Sequence, residues 1–226
     1  MDFEPIARIY NDFPTKFGLP RQSGMSEHLL SRVVMEKVFR SREAFRGIEE
    51  FEYLWLIWVF EAMGKREWSP TVRPPKLGGN KRMGVFATRS PNRPNPIGLT
   101  RVRLVSIDES GADSPALIVA GADLMSGTAI LDIKPYLPFA DSVPDASNGI
   151  YGERESLRVA LPEKYHALFN EQQLKTLFET LAHDPRPGYQ NDPERVYGFS
   201  YAGYDVRFRV AENTLTVTEI IPSEVL

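Results

Sequence analysis

The chain has 226 residues, 42% of them apolar, no cysteine and a formal net charge of −3, enough to bury a substantial core as one large domain or a main domain with a small companion. Without cysteine there are no disulfides, no thiolate nucleophile and no cysteine-ligated metal, and the three histidines (His28, His166, His183) show no metal-binding spacing. No apolar run approaches the roughly 18 residues of a membrane-spanning helix, and Met1-Asp2-Phe3-Glu4 lacks the features of a signal peptide, so neither a membrane nor a metal is expected and the cytoplasm is the expected location.

In chain order, residues 6–10, 32–39, 52–60, 83–88, 97–107, 116–120 and 129–133 are short runs rich in Val, Ile and aromatics, most of them separated by Gly, Pro, Asn or Asp. That pattern predicts strands of an antiparallel sandwich or barrel. Alternation is clearest after Leu99, where Arg101 and Arg103 share one face and Val102 and Leu104 the other. Residues 52–60 are nearly all apolar and fit a strand covered on both faces or a buried helix; the strand is favoured. Residues 135–149 contain three prolines and mark the expected boundary between domains 1–149 and 150–226. From Pro162 to His183, Tyr165, Leu168, Phe169, Leu174, Leu177, Phe178 and Leu181 form an apolar stripe at helical spacing. Three strands are expected after it, at 195–201, 205–210 and 214–221, joined by Ala202-Gly203 and Glu212-Asn213 turns. The tail therefore reads as a small α+β unit.

Charge is segregated along this framework. Residues 65–103 hold ten cations against the single acid Glu67, a net +9 in a chain that is otherwise −12. Such a run is commonly a solvated face, but in an acidic protein it also suits an anionic ligand such as nucleic acid or phosphate. Arginine recurs inside proline-rich stretches: Pro20-Arg21-Gln22, residues 71–80, Ala87-Thr88-Arg89-Ser90-Pro91-Asn92-Arg93-Pro94-Asn95-Pro96, and Asp184-Pro185-Arg186-Pro187-Gly188-Tyr189. Flanking prolines restrict the backbone and lower the entropy lost when an arginine is fixed against a ligand. The Rossmann fingerprint, the P-loop and the serine nucleophile elbow are all missing, which leaves dinucleotide binding by those folds and acyl transfer without support.

The runs PTVRPPKLGGNKRMGVFATRSPNRPNPIGLT (70–100), DIKPYLPFADSVPDA (132–146), PRQ (20–22) and DPRPGY (184–189) closely resemble the TsaA-like, or YaeB, family, whose bacterial members are TrmO-type tRNA methyltransferases. The resemblance covers nearly the whole chain in matching order. It implies a mainly β fold, an antiparallel β-barrel methyltransferase domain with a small C-terminal α+β domain, in a homodimer. It also implies S-adenosyl-L-methionine as cofactor and tRNA as partner, with methylation of the exocyclic amino nitrogen of a threonylcarbamoylated adenosine in the anticodon loop. By position, the cofactor contacts fall on Pro20, Arg21, Gln22, Glu61, Ala62, Arg89, Leu99, Asp123, Leu124, Met125 and Ser126. A guanidinium suits the methionine carboxylate, and acidic or carbonyl oxygens suit ribose hydroxyls. Glu61-Ala62 and Ser126 depart from the His-Gln pair and second acid of many relatives.

Arg186 and Tyr189 in DPRPGY are the candidates for phosphate contact and base stacking, and Arg73, Lys76, Arg93, Arg101 and Arg103 for further tRNA contacts. Asn95, held between Pro94 and Pro96, has two readings: acceptor of a hydrogen bond from the target adenine amine, by likeness to the Asn-Pro elements of unrelated amino-methyltransferases, or cap of a turn. Two other functions compete with tRNA methylation. One is a non-catalytic RNA-binding barrel, which would bind no S-adenosylmethionine; the other is a small-molecule methyltransferase on the same scaffold, for which the DPRPGY tail would be superfluous.

Overall fold

The computed structural model describes residues 2–61, 68–74, 81–152, 156–186 and 192–224. Six strands close into an antiparallel barrel: β1 (Ala7–Tyr10), β2 (Leu30–Met35), β3 (Tyr53–Val59), β6 (Ile97–Asp108), β7 (Ala116–Ala120) and β8 (Ala129–Pro135), in the order β1-β2-β7-β6-β3-β8. Alternation drives closure: Leu54, Leu56 and Trp58 of β3, Val102 of β6, Ile9 of β1, Val33 of β2 and Ile130 of β8 all point into one core. The apolar run 52–60 is thus a strand, with its second face (Tyr53, Trp55, Ile57, Val59) only half-buried on the outer wall. On β6 the outer face carries Arg101 and Arg103, as the alternation predicts, and Thr100 falls inward in phase with Val102. A register shift between Leu104 and Ser106 bends β6 against β7.

Residues 83–88 do not form the expected strand. Only β5 (Met83–Gly84) pairs, with β4 (Thr71–Val72), and Val85–Ala87 is a 3-10 turn. The Val85 carbonyl accepts from Thr88 Oγ1 at 2.9 Å and from the Arg93 guanidinium at 3.2 Å, and these local side-chain donors replace a sheet partner.

The tail has its own core. Sheet β10-β11-β12-β9, formed by Tyr197–Tyr201, Tyr204–Ala211, Thr214–Pro222 and Arg158–Ala160, packs against helix α2 (Glu171–Ala182); the preceding α1 (Pro138–Asp141) is a single turn. The helical stripe starting at Pro162 is split: Glu163–Leu168 is a 3-10 turn, and α2 begins only after Asn170. Asn170 accepts from the Gln173 backbone N–H at 2.8 Å while Gln173 accepts from the Asn170 N–H at 3.2 Å, a capping box that sets the start of the helix. The β10–β11 hairpin turns through Ala202 and Gly203, both at positive φ. Strand β9, parallel to β12, was not foreseen. Phe13 and Leu29, from the loop between β1 and β2, are buried in the tail core and join it to the barrel.

Candidate functional site

Antiparallel closure brings the ends of β1, β3 and β7 and the starts of β2, β6 and β8 to one rim. Four predicted cofactor elements leave the barrel there: residues 20–22 between β1 and β2, Glu61 after β3, Arg89 and Leu99 before and on β6, and 123–126 between β7 and β8. These stretches are far apart in sequence but share a rim because every connection between neighbouring strands reverses direction.

The contacts join most of them. Arg89 donates to Gln22 Oε1 at 2.6 Å, and its backbone N–H donates to the Tyr151 hydroxyl at 2.7 Å. Gln22 Nε2 donates to the Arg21 carbonyl at 2.5 Å. Asp123 accepts from Thr100 Oγ1 at 2.6 Å. Burial pushes the Asp123 carboxyl above the usual carboxylate range, opposed by hydrogen bonds from Thr100, its own N–H and the Ser23 N–H and by the charge of Arg89. The 123–126 loop is fixed by Asn11, whose amide donates to the Leu124 carbonyl at 2.9 Å and whose N–H donates to Ser126 Oγ at 3.3 Å. The Met125 carbonyl accepts from Thr128 Oγ1 at 2.8 Å, and the Leu124 side chain lies in the barrel core. Glu61 pairs with Arg8 at 3.3 Å, and Arg8 also donates to the Gly127 carbonyl at 2.8 Å, which places Glu61 beside this loop. Leu99 is 56% exposed on the outer face of β6.

Arg21, Arg186 and Arg93 of the motifs turn toward the protein. Arg21 donates to the backbone carbonyls of Asp184 (3.0 Å) and Arg186, joining the PRQ element to the tail. Arg186, predicted to face phosphate, is 8% exposed and grips Asp184 through two guanidinium nitrogens at 2.8 and 3.0 Å. Burial raises the Asp184 carboxyl, but the hydrogen bonds and charge of Arg186, with Arg21 beyond, outweigh it and leave the group below the usual range. Arg93 folds back onto the Val85 and Thr88 carbonyls and lies 5.7 Å from the Phe86 ring, so it braces its own loop. Arg101 stacks over Tyr53 at 5.1 Å and Tyr136 at 5.6 Å on the outer wall, with Arg103 next to it. Arg73 is exposed. Asn95 is exposed, and among the described residues its side-chain amide has no hydrogen-bond partner; only its carbonyl is engaged, by the Ile97 N–H at 2.8 Å. Ala62, Lys76 and Tyr189 lie outside the described residues.

The sequence reading missed Asn11, Thr100, Trp58 and Tyr151. Only the ladder register, which brings Trp58 opposite Gly98 and so beside Thr100, reveals that pair.

The rim of this closed six-stranded barrel gathers a guanidinium, an amide and a partly buried carboxyl, and the tail domain packs beside it. The family profiles for the tRNA-methyltransferase O N-terminal domain and the TrmO C-terminal domain match residues 8–142 and 154–223. The chain belongs to the tRNA-methyltransferase O family. It is 39% identical over 97% of both chains to an Escherichia coli (strain K12) protein named tRNA (adenine(37)-N6)-methyltransferase, and 42% identical, over 77% of this chain and 99% of the other, to a protein of that name from Eikenella corrodens. A crystal structure of TrmO from Pseudomonas aeruginosa superposes with a TM-score of 0.76 at 29% identity, covering 98% of each chain.

Proposed function

We propose that the protein transfers a methyl group from S-adenosyl-L-methionine to the exocyclic amino nitrogen of adenosine 37 in the tRNA anticodon loop, on an adenosine already carrying a threonylcarbamoyl group. The observation that carries this reading is the convergence at one rim of the Gln22–Arg89 pair, the Asp123 carboxyl and the exposed Asn95 amide, which has no hydrogen-bond partner among the described residues. The donor set fits the cofactor: Arg89 for its carboxylate, Asp123 for its hydroxyls, the Met125 and Leu124 backbone for polar edges and exposed Leu99 for an apolar surface.

Once bound, the cofactor supplies an electrophilic methyl on a sulfonium. Asn95 Oδ1 would accept the hydrogen bond of the adenine amine and orient its nitrogen lone pair toward the methyl group that the bound cofactor would supply, and the amine proton would pass to solvent. Held geometry of this kind contributes about 7–11 kcal/mol, so no strong base is required. The prolines on either side of Asn95 hold it in place before the substrate arrives. Arg101 and Arg103 offer charge to tRNA phosphates along the outer wall. Arg186 then serves the tRNA face indirectly, by holding Asp184 and the tail element in place. Exposed Ile97, Leu99 and Phe86 beside the rim are in keeping with a homodimer, and a tRNA substrate is in keeping with a cytoplasmic enzyme.

The test is mass spectrometry of anticodon-loop nucleosides after incubation of the purified protein with S-adenosylmethionine and tRNA, with and without the threonylcarbamoyl group. One methyl added to the modified adenosine is expected. A chain that binds tRNA but neither binds the cofactor nor adds a methyl would instead be an RNA-binding barrel.

A further inference from the structure

A hydrogen-bonded relay runs from the barrel core to the rim. Trp58 Nε1 donates to Thr100 Oγ1 at 2.9 Å, and Thr100 Oγ1 lies 2.6 Å from Asp123 Oδ1. Trp58 is 8% and Thr100 1% exposed, so water cannot take either place. The direction of the relay follows from the groups themselves. An indole N–H is only a donor, and a threonine hydroxyl has one proton. With one of its two lone pairs taken by Trp58, the Thr100 hydroxyl donates its proton to Asp123 Oδ1, which accepts it. Gly98 makes this geometry accessible: a Cβ there would sit 2.1 Å from Trp58 Cε2, so the indole could not lie across the strand with any other residue at position 98.

The Thr100 hydroxyl donates to Asp123 Oδ1 at 2.6 Å, and the backbone N–H groups of Ser23 and of Asp123 itself also favour the anion. A carboxylate offers about four acceptor sites, so the Thr100 bond leaves acceptor capacity toward the rim. Arg89, tied to Gln22, is the charged group that acts on Asp123; Ser23 belongs to the same β1–β2 loop, and Thr100 to β6. The sequence motifs account for Asp123, Arg89 and Gln22 but leave Trp58 and Thr100 without a role.

We infer that Trp58 and Thr100 are positioning residues that hold Asp123 as an oriented carboxylate, with acceptor capacity kept for a donor group of the bound cofactor. The inference rests on the cofactor reading above for its last clause only; the relay itself stands on the free protein. Against burial, which favours the neutral acid, the relay supplies a donor that only the anion uses fully.

The test combines carboxyl NMR with calorimetry. In the free protein labelled at the aspartate carboxyl carbon, with the Asp123 signal assigned through Asp123→Asn, Thr100→Val should move the Asp123 midpoint up by about one to two pH units, the size of one lost hydrogen bond to a charged acceptor. Thr100→Ser, which keeps the hydroxyl, should return the midpoint close to that of the wild type, and Trp58→Phe should give a smaller rise because the hydroxyl is then free to rotate. S-adenosylmethionine titrated into the same variants should bind about tenfold more weakly to Thr100→Val at neutral pH. That binding should fade at higher pH than in the wild type, because the anion is lost as pH falls through the raised midpoint. In turnover the loss should appear in the cofactor KM rather than in kcat. A folded Thr100→Val protein with an unchanged Asp123 midpoint overturns the relay. A wild-type protein that shows the relay but binds no S-adenosylmethionine overturns the cofactor reading instead.

Discussion

Asn95 carries the most specific part of the proposed chemistry, and its environment bears on its two readings. A turn-capping asparagine uses its side chain on nearby backbone groups, whereas here the turn is closed by its carbonyl and the side-chain amide projects unpartnered among the described residues. Asn95→Ala is accordingly expected to slow single-turnover methylation by about 10² with little change in cofactor affinity or melting temperature. A variant that retained the full rate would return the residue to a turn role. Asn95 and Arg89 drew attention in the sequence because proline and arginine crowding is itself local. Trp58 and Thr100 could not: they are 42 positions apart, each reads as an ordinary core residue, and only the pairing of Trp58 with Gly98 brings them together.

At the scale of elements, short runs rich in Val, Ile and aromatics between Gly, Pro, Asn or Asp were enough for β1, β3, β7 and β8, and period-2 alternation added the facing of β6, since a barrel wall sorts its residues inward and outward. Elements decided by single hydrogen bonds were harder to read. The stripe from Tyr165 to Leu181 has helical spacing throughout, but the Asn170–Gln173 box starts α2 eight residues later than Pro162 would, and the turn before it winds as 3-10. β9 has only three residues, too few to show a period. The capping box is testable by itself. Asn170→Ala should cost about 1 kcal/mol in chemical unfolding, and no loss of stability would show that the box is dispensable to α2. Gln173 also reaches Asp12 with its amide at 3.2 Å, so Gln173→Ala should cost more than Asn170→Ala.

The scale of the whole molecule is governed by how the tail sits on the barrel. Among the described residues, polar links cross between them from Arg21 to the carbonyls of Asp184 and Arg186, from Ser26 and His28 to Glu179, from Gln172 to the His28 carbonyl, from Gln173 to Asp12, and from the Ala202 N–H to the Asp12 carbonyl. Asp184 anchors the first link through its buried pair with Arg186. Its folded pKa is depressed, so its contribution to stability is complete above the unfolded value of about 3.9 and is lost as pH falls through the lower folded value. Asp184→Asn leaves Arg186 buried without its counter-ion, and about 3 kcal/mol of stability should disappear at neutral pH, with a flatter acid branch in the stability–pH curve than the wild type shows. Equal stabilities at pH 7 would mean that the pair is solvated in solution.

Charge acts over the same scale. The chain is acidic overall, so its affinity for a polyanion must come from the cationic stretch 65–103 and not from net charge. Arg101 and Arg103 lie side by side on the outer wall of β6, and Arg101 is held against Tyr53 and Tyr136, which limits the side-chain entropy lost when phosphate binds. Counterion release makes the affinity fall with salt by a slope of about 0.7 to 0.9 per phosphate neutralised. Replacing both arginines with alanine should therefore weaken tRNA binding for every tRNA sequence and flatten the plot of log affinity against log salt by about 1.4 to 1.8. S-adenosylmethionine affinity should stay at the wild-type value, because neither residue contacts the Gln22–Arg89–Asp123 cluster. An unchanged salt slope would move the tRNA path off this wall of the barrel and onto the remaining cations of the stretch.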